Sequence, residues 1–113
     1  MTLDAGANLR KGVAEFAVLA LLRREPMYGW QVSKQLIARG GFIASIGTLY
    51  PMLSRLRARG WVSTFDRNSD AGPSRRYYQL TAGGRSALDD FRVQWGGFSA
   101  SVDALLEEDE THG

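Results

Sequence analysis

The chain has no cysteine and a single histidine among its 113 residues. Without cysteine there is no disulfide framework and no thiolate metal site, and nothing indicates an oxidising compartment. His112 lies in a polar tail, so a Ser-His or Cys-His pair, a histidine-metal cluster or an imidazole base is not expected. We therefore predict no catalytic, cofactor-binding or metal-binding residues and no enzymatic activity.

Long apolar runs and phosphate-binding loops are also missing. The longest nearly pure apolar run, residues 16–22, falls far below the roughly 20 residues needed to span a bilayer. Residues 1–4 lack the positive-then-apolar layout of a signal peptide. The thirteen glycines are scattered and match no nucleotide-binding pattern, and the adjacent acids are expected to be solvated. The expectation is an unexported, cytoplasmic protein without membrane contact.

Arginine, by contrast, is abundant and unevenly placed. Residues 1–86 hold 13 Lys and Arg against 5 Asp and Glu, whereas residues 87–113 hold 1 against 7. Twelve of the basic residues are arginine, whose planar guanidinium suits phosphates and guanine edges. The basic part of the chain favours a polyanionic partner, and a solvated charged face is the alternative explanation.

Hydrophobic periodicity predicts a helix over about Leu9–Arg24 and a second over about Gly29–Ala38. The first ends before Pro26 and has a nearly all-apolar middle, so we expect it to be buried against other helices. The second ends at the glycine pair 40–41. The face of the first helix expected to pack inward consists of Leu9, Val13, Phe16 and Ala20.

A third helix is predicted from Ser45, a good N-cap, to Arg59, before the stop at Gly60. Its apolar stripe leaves a small and polar outward face. Pro51 is tolerated only early in a helix, so either the helix begins nearer Thr48 or it kinks at its second turn. The inward residues are Leu49, Met52, Leu53 and Leu56, and the outward residues are Gly47, Tyr50, Pro51, Ser54, Arg55 and Ala58.

Two β-rich runs follow, residues 61–66 and 75–80, joined by the turn-rich segment Asn68–Pro73. They predict a β-hairpin with a long tip. Tyr78 is expected in the core, and Thr81 is expected to cap the next helix. By the period-two rule, the residues that face outward are Arg75, Tyr77 and Gln79.

The last helix carries an apolar seam with heptad spacing that extends roughly 27 Å, at about 1.5 Å per residue. Three short helices and a hairpin offer little surface to cover such a seam, so self-association is expected, with packing on its own domain as the alternative. Gly96 and Gly97 indicate a bend, a close helix approach or room for a ligand. The predicted dimer interface comprises Leu88, Phe91, Trp95, Phe98, Val102 and Leu105.

Four motifs resemble the PadR family of prokaryotic transcriptional regulators, over about residues 9–106. The last two are specific at this separation. They are Leu19-Ala20-Leu21-Leu22, Tyr28-Gly29-Trp30-Gln31-Val32, Gly47-Thr48-Leu49-Tyr50-Pro51-Met52-Leu53 and Gly72-Pro73-Ser74-Arg75-Arg76-Tyr77-Tyr78-Gln79-Leu80-Thr81.

The resemblance implies a mostly α fold with a small β-hairpin, in which a winged helix-turn-helix precedes a dimerisation helix. The corresponding domains are residues 1–81 for DNA binding, residues 82–106 for dimerisation, and residues 107–113 as an acidic disordered tail. Members of the family are usually repressors that release DNA when they bind a small molecule. The predicted partners are double-stranded DNA with a pseudo-palindromic operator, a second copy of the chain, and a small hydrophobic or aromatic effector.

Carried over residue by residue, the resemblance places the recognition helix at residues 45–59 and the wing at residues 68–76. Arg57 and Arg59 are expected to be solvated at the helix end. Trp30 and Ile46 depart from the family pattern, which commonly has tyrosine and a polar residue there. The predicted DNA-binding residues are Lys34, Ser45, Thr48, Tyr50, Ser54, Arg55, Arg75, Arg76 and Tyr77.

Some short members of the family place aromatic residues of the last helix around a cavity at the dimer interface. Trp95 and Phe98, beside Gly96 and Gly97, are the candidate effector pocket, and a packed dimer core is the alternative role of Trp95. The prediction as a whole is a homodimeric, ligand-responsive DNA-binding repressor. The alternative is a winged-helix module that binds a protein partner and has lost DNA binding.

Overall fold

The computed structural model describes residues 5–69 and 72–112. Residues 1–4, 70–71 and 113 lie outside this part, and with them the centre of the predicted hairpin tip and both ends of the predicted domain division. The described residues form four helices and a small antiparallel sheet, which confirms the predicted fold class. The elements are α1 (Ala5–Leu22), β1 (Met27–Tyr28), α2 (Gly29–Ala38), α3 (Ile46–Ala58), β2 (Val62–Ser69), β3 (Gly72–Leu80) and α4 (Ala82–His112).

The side of α1 that enters the core differs from the prediction. Ala14, Val18 and Leu22 are buried at a spacing of four, as one face of a helix requires. Leu9 is 64% exposed, and Phe16 is only partly buried. The prediction was wrong because the middle of α1 is apolar on all sides, so the sequence offers two faces that could pack.

The bounds of α3 agree with the prediction, with Ser45 at the N-cap and Arg59 at the C-cap. Pro51 lies inside the helix, so a start nearer Thr48 is wrong. Proline supplies no amide to the carbonyl four residues earlier, and its exposed position leaves that carbonyl within reach of water. Gly60 follows with φ 79°, the left-handed conformation that ends helices and favours glycine.

The sheet has the order β1-β3-β2, and both strand pairs are antiparallel. β2 and β3 pair from Val62 opposite Leu80 to Ser69 opposite Gly72, with an irregularity between residues 67 and 69. The predicted long tip is therefore wrong, because pairing continues into residues whose composition is typical of turns. Backbone pairing across the hairpin overrides that local preference.

The packed core lies between α1, α2, α3 and the inner face of the sheet. Thr81 caps α4 as predicted, since its Oγ1 accepts a hydrogen bond from the amide of Gly84 at 3.0 Å. The helix then continues through residues 107–112, where the sequence predicts a disordered tail; glutamate at 107 and 108 is compatible with a helix. Among the described residues, no helix is both long and apolar enough to cross a membrane.

Candidate nucleic-acid interface

The outward face of α3 is made of small residues. The fully buried leucines Leu49, Leu53 and Leu56 define the inward side. At 3.6 residues per turn the opposite side consists of four exposed residues. Small side chains allow a close approach of the helix to a surface, and the DNA major groove, about 12 Å wide, admits an α-helix. These four residues are Gly47, Pro51, Ser54 and Ala58.

One edge of this face carries Thr48 and Arg55 and runs along α1. The Nε of Arg55 donates to Glu15 at 2.9 Å, and Nη1 of Arg59 donates to the second carboxylate oxygen at 2.7 Å. Burial alone would raise the pKa of Glu15, but the hydrogen bonds and charges of the two arginines outweigh it and lower that pKa. Arg55 is thus anchored through Nε and retains its terminal nitrogens as donors.

The opposite edge of α3 carries Tyr50 and Arg57 and faces the hairpin. A β-carbon at Gly29 would come within 2.8 Å of the Tyr50 hydroxyl, so glycine permits this contact between α2 and α3. Tyr78 is buried, as predicted. Burial raises the pKa of Tyr78, whereas the positive charges of Arg76 and Arg57 act in the opposite direction. Both arginines therefore lie close to this edge.

The outer face of the sheet carries aromatic rings with cations above them. Tyr28, Tyr77 and Phe65 are neighbours across the three strands, with ring centroids 5.5 Å apart at each step. The guanidinium of Arg67 lies 4.5 Å from the Tyr77 ring, and that of Arg75 lies 4.6 Å from the Tyr28 ring. These distances are those of cation–π contacts.

The same arrangement continues onto α2. The Trp30 ring stacks beside Tyr28 at 6.3 Å, and the ammonium of Lys34 lies 4.8 Å from the Trp30 ring. Cations and rings thus form one continuous surface from α2 to the hairpin. We call this surface the outer row; it consists of Lys34, Trp30, Tyr28, Arg75, Tyr77, Phe65 and Arg67.

The predicted DNA-binding residues are divided between these surfaces. Arg75 and Arg76, predicted to bind phosphates together, lie on opposite faces of β3, because successive residues of a strand alternate. Tyr77 is half-buried within the outer row. The remaining residues of the predicted set are exposed: Lys34, Ser45, Thr48, Tyr50, Ser54, Arg55, Arg75 and Arg76.

Two arginines were not predicted as candidates from the sequence. Arg57 follows Tyr50 by seven residues, which is two helical turns, so the helical period could have placed both on one edge. Arg67 is paired with Arg75 in the strand register. That register depends on the length of the turn, and the sequence overestimated the turn.

The seam of α4 divides into a buried and an exposed half. Leu88 is buried in the core of its own chain, and Phe91 stacks on Phe16 of α1 with ring centroids 4.3 Å apart. Further along α4 the seam leaves the body of the molecule. The exposed fractions of its remaining residues are 43% for Trp95, 62% for Phe98, 38% for Val102 and 66% for Leu105.

An apolar groove of about 400 Å³ lies between α1 and α4. Phe91 and Trp95 form part of its wall, with ring centroids 6.1 Å apart, and Phe98 follows at 6.4 Å. Leu9 and Val13 of α1 complete the apolar lining. The side of α1 that does not enter the core is therefore continuous with the exposed half of the seam.

Residues 18–90 match the family model described as the transcriptional regulator PadR-like family. The match covers α2, α3 and the sheet, which carry both edges of the α3 face and the outer row. It is consistent with the resemblance seen in the sequence motifs.

Solved structures of PadR-like regulators share the fold. One from Bacillus cereus is 33% identical, with a TM-score of 0.80, and the match covers 88% of this chain and 96% of that chain. One from Eggerthella lenta is 35% identical, with a TM-score of 0.78 and coverage of 88% and 87%. A transcriptional regulator of Mycobacterium tuberculosis, Rv3488, is 45% identical over 58 residues, which are 51% of this chain and 53% of that protein.

Proposed function

Because this chain belongs to the PadR-like family of transcriptional regulators, we propose that it is a homodimeric repressor released from DNA by a small hydrophobic or aromatic effector. Each copy binds one half of a pseudo-palindromic operator. Residues 1–81 act as the DNA-binding domain and residues 82–106 as the dimerisation helix. The observation that carries the proposal is the small-residue face of α3, flanked by cations on both edges and by a cationic hairpin.

In this proposal α3 enters the major groove through its small outward face. Ser54 and Thr48 offer hydroxyls to bases or phosphates, and Arg55 offers guanidinium donors that suit guanine. The anchoring of Arg55 by Glu15 at 2.9 Å supports a fixed position for these donors. Arg75 and Arg76 bind phosphates, which sets the register of the helix along the groove.

Dimerisation uses the exposed half of the α4 seam. Phe98, Val102 and Leu105 extend beyond the body of the chain and expose apolar surface that a second copy would cover. A two-fold axis through this seam gives each operator half its own α3 and hairpin. Leu88 serves the interface indirectly, because it anchors α4 to its own core.

Effector binding is assigned to the groove between α1 and α4. Trp95 and Phe98 offer flat apolar faces beside two glycines whose added β-carbons would meet no atom within 4 Å among the described residues. A planar aromatic dye is a suitable probe. It should quench tryptophan fluorescence in the wild type and much less in Trp95→Ala, with Trp30 and Trp61 as the background signal.

The test of DNA binding is selection of bound sequences from random duplexes, followed by anisotropy titration at several salt concentrations. The enriched sites should be palindromes with half-sites about one helical turn, or roughly 34 Å, apart. Affinity should fall steeply with salt as counterions are released. No enriched sequence and no salt dependence would refute the proposal and favour a winged-helix module that binds a protein.

A further inference from the structure

The register of the hairpin places cations on both of its faces. Tyr78 points into the core, so Arg76, two residues earlier, shares the inner face with Asp66 opposite it. Arg75 is paired with Arg67 on the outer face. Where the hairpin extends beyond the core, it is a ribbon with arginine on each side.

The two arginines of the outer face are held in place by rings. Arg67 lies over Tyr77 at 4.5 Å and over Phe65 at 5.5 Å, and Arg75 lies over Tyr28 at 4.6 Å. A ring beneath the guanidinium restrains the side chain and leaves N–H edges for an anion. Within residues 5–69 and 72–112, neither arginine forms an ion pair.

The inner face is cationic as well. Arg76 lies 3.9 Å from Asp66, and both side chains are more than half exposed, so this ion pair is weak and can exchange for a phosphate. Arg57 of α3 lies near the same face, since its charge and that of Arg76 both act on Tyr78. The inner face is therefore continuous with the hairpin-facing edge of α3.

An acidic peptide would cover one face of a ribbon, whereas a duplex groove has a phosphate strand on each side. We infer that the two faces of the hairpin contact opposite strands of the operator: Arg67 and Arg75 bind phosphates of one strand, and Arg76 with Arg57 binds phosphates of the other. The inference rests on the DNA binding proposed above. It adds an assignment of each arginine to a strand.

The test uses the full-length protein and a selected operator in which single phosphates are replaced by uncharged methylphosphonates, one position and one strand at a time. Loss of a contacted phosphate should weaken wild-type binding about tenfold. Arg75→Ala and Arg67→Ala should become insensitive to replacements in one strand. Arg76→Ala should become insensitive to replacements in the other strand only.

Arg75 and Arg76 are a matched pair: the same residue type, adjacent in the chain, both exposed, on opposite faces. If their variants become insensitive to phosphates of the same strand, the strand assignment is overturned while DNA binding stands. If Arg67→Ala and Arg75→Ala bind every duplex as the wild type does, the outer face does not contact DNA, and the inference is again overturned. Failure of the wild type to bind any duplex would instead refute the proposed function.

Discussion

At the scale of single residues, Glu15 has the largest reach. One carboxylate of α1 accepts hydrogen bonds from two arginines of α3, Arg55 and Arg59, and the side chain itself is only 21% exposed. Charge-assisted bonds of this kind contribute more than an exposed ion pair. Glu15 therefore fixes the rotation of α3 relative to α1.

We expect Glu15→Gln to lower the free energy of unfolding at neutral pH by about 1 kcal/mol, or several degrees in Tm. The pKa of Glu15 is lower in the folded chain than its ordinary value of 4.5. Its stabilisation is therefore present above about pH 4.5 and is lost as the pH falls through the folded pKa. Thermal unfolding at pH 7 and pH 3 should show a difference between variant and wild type that shrinks in acid.

A difference in Tm that stays constant across this pH range would contradict a charge-dependent role. Arg59→Lys is a useful companion variant, because it keeps the charge and removes the planar guanidinium.

Arg57 is expected to contribute to DNA affinity although the sequence did not single it out. Arg57→Ala should weaken operator binding and reduce the slope of log affinity against log salt by about 0.9, the value for one phosphate contact. Arg85→Ala is the control: it removes the same charge from an exposed position on α4. Equal slopes for the two variants would show that net charge, not position, is responsible.

At the scale of elements, the sequence located helices well and orientations less well. The bounds of α2 and α3 follow from their apolar stripes and from their glycine stops, which are local signals. The inward face of α1 was mispredicted because an all-apolar helix has no polar side to exclude from the core. The pairing of Arg67 with Arg75 was inaccessible, because a strand register is set by contacts distant in sequence.

The glycine pair of α4 gives a prediction at this scale. Added β-carbons at Gly96 and Gly97 would meet no atom within 4 Å in the described part of the chain. Replacing both with alanine should therefore raise Tm, since each glycine within a helix costs about 1 kcal/mol relative to alanine. A lower Tm that recovers at high protein concentration would instead indicate that two copies of α4 approach each other at this point.

At the scale of the whole molecule, α4 makes the chain elongated, with extents of 62, 33 and 21 Å. Its exposed seam lies on the part of the helix that carries the acidic end of the chain, while the cations lie on the DNA-binding side. Repulsion by phosphates thus keeps the acidic segment away from DNA. The sequence predicted this polarity correctly, because charge counts need no tertiary information.

The seam predicts the state of assembly. Phe98→Asp with Leu105→Asp places charge on the exposed seam and should give a folded monomer in sedimentation. Val93→Asp is the control, because Val93 is an exposed apolar residue of the same helix that lies off the seam. Substituting Leu88 would test the fold instead, since it is buried in the core. A dimer that survives the double substitution would exclude the seam as the interface.

Glu15 and Phe16 are neighbours in the chain, yet one binds α3 and the other stacks on Phe91 of α4 at 4.3 Å. One peptide unit of α1 is thus shared by the helix proposed for DNA and the helix proposed for the partner copy. A displacement of α4 that carries Phe91 with it cannot be absorbed between them by a flexible loop. The junction works as a rigid lever, and its fulcrum is two residues long.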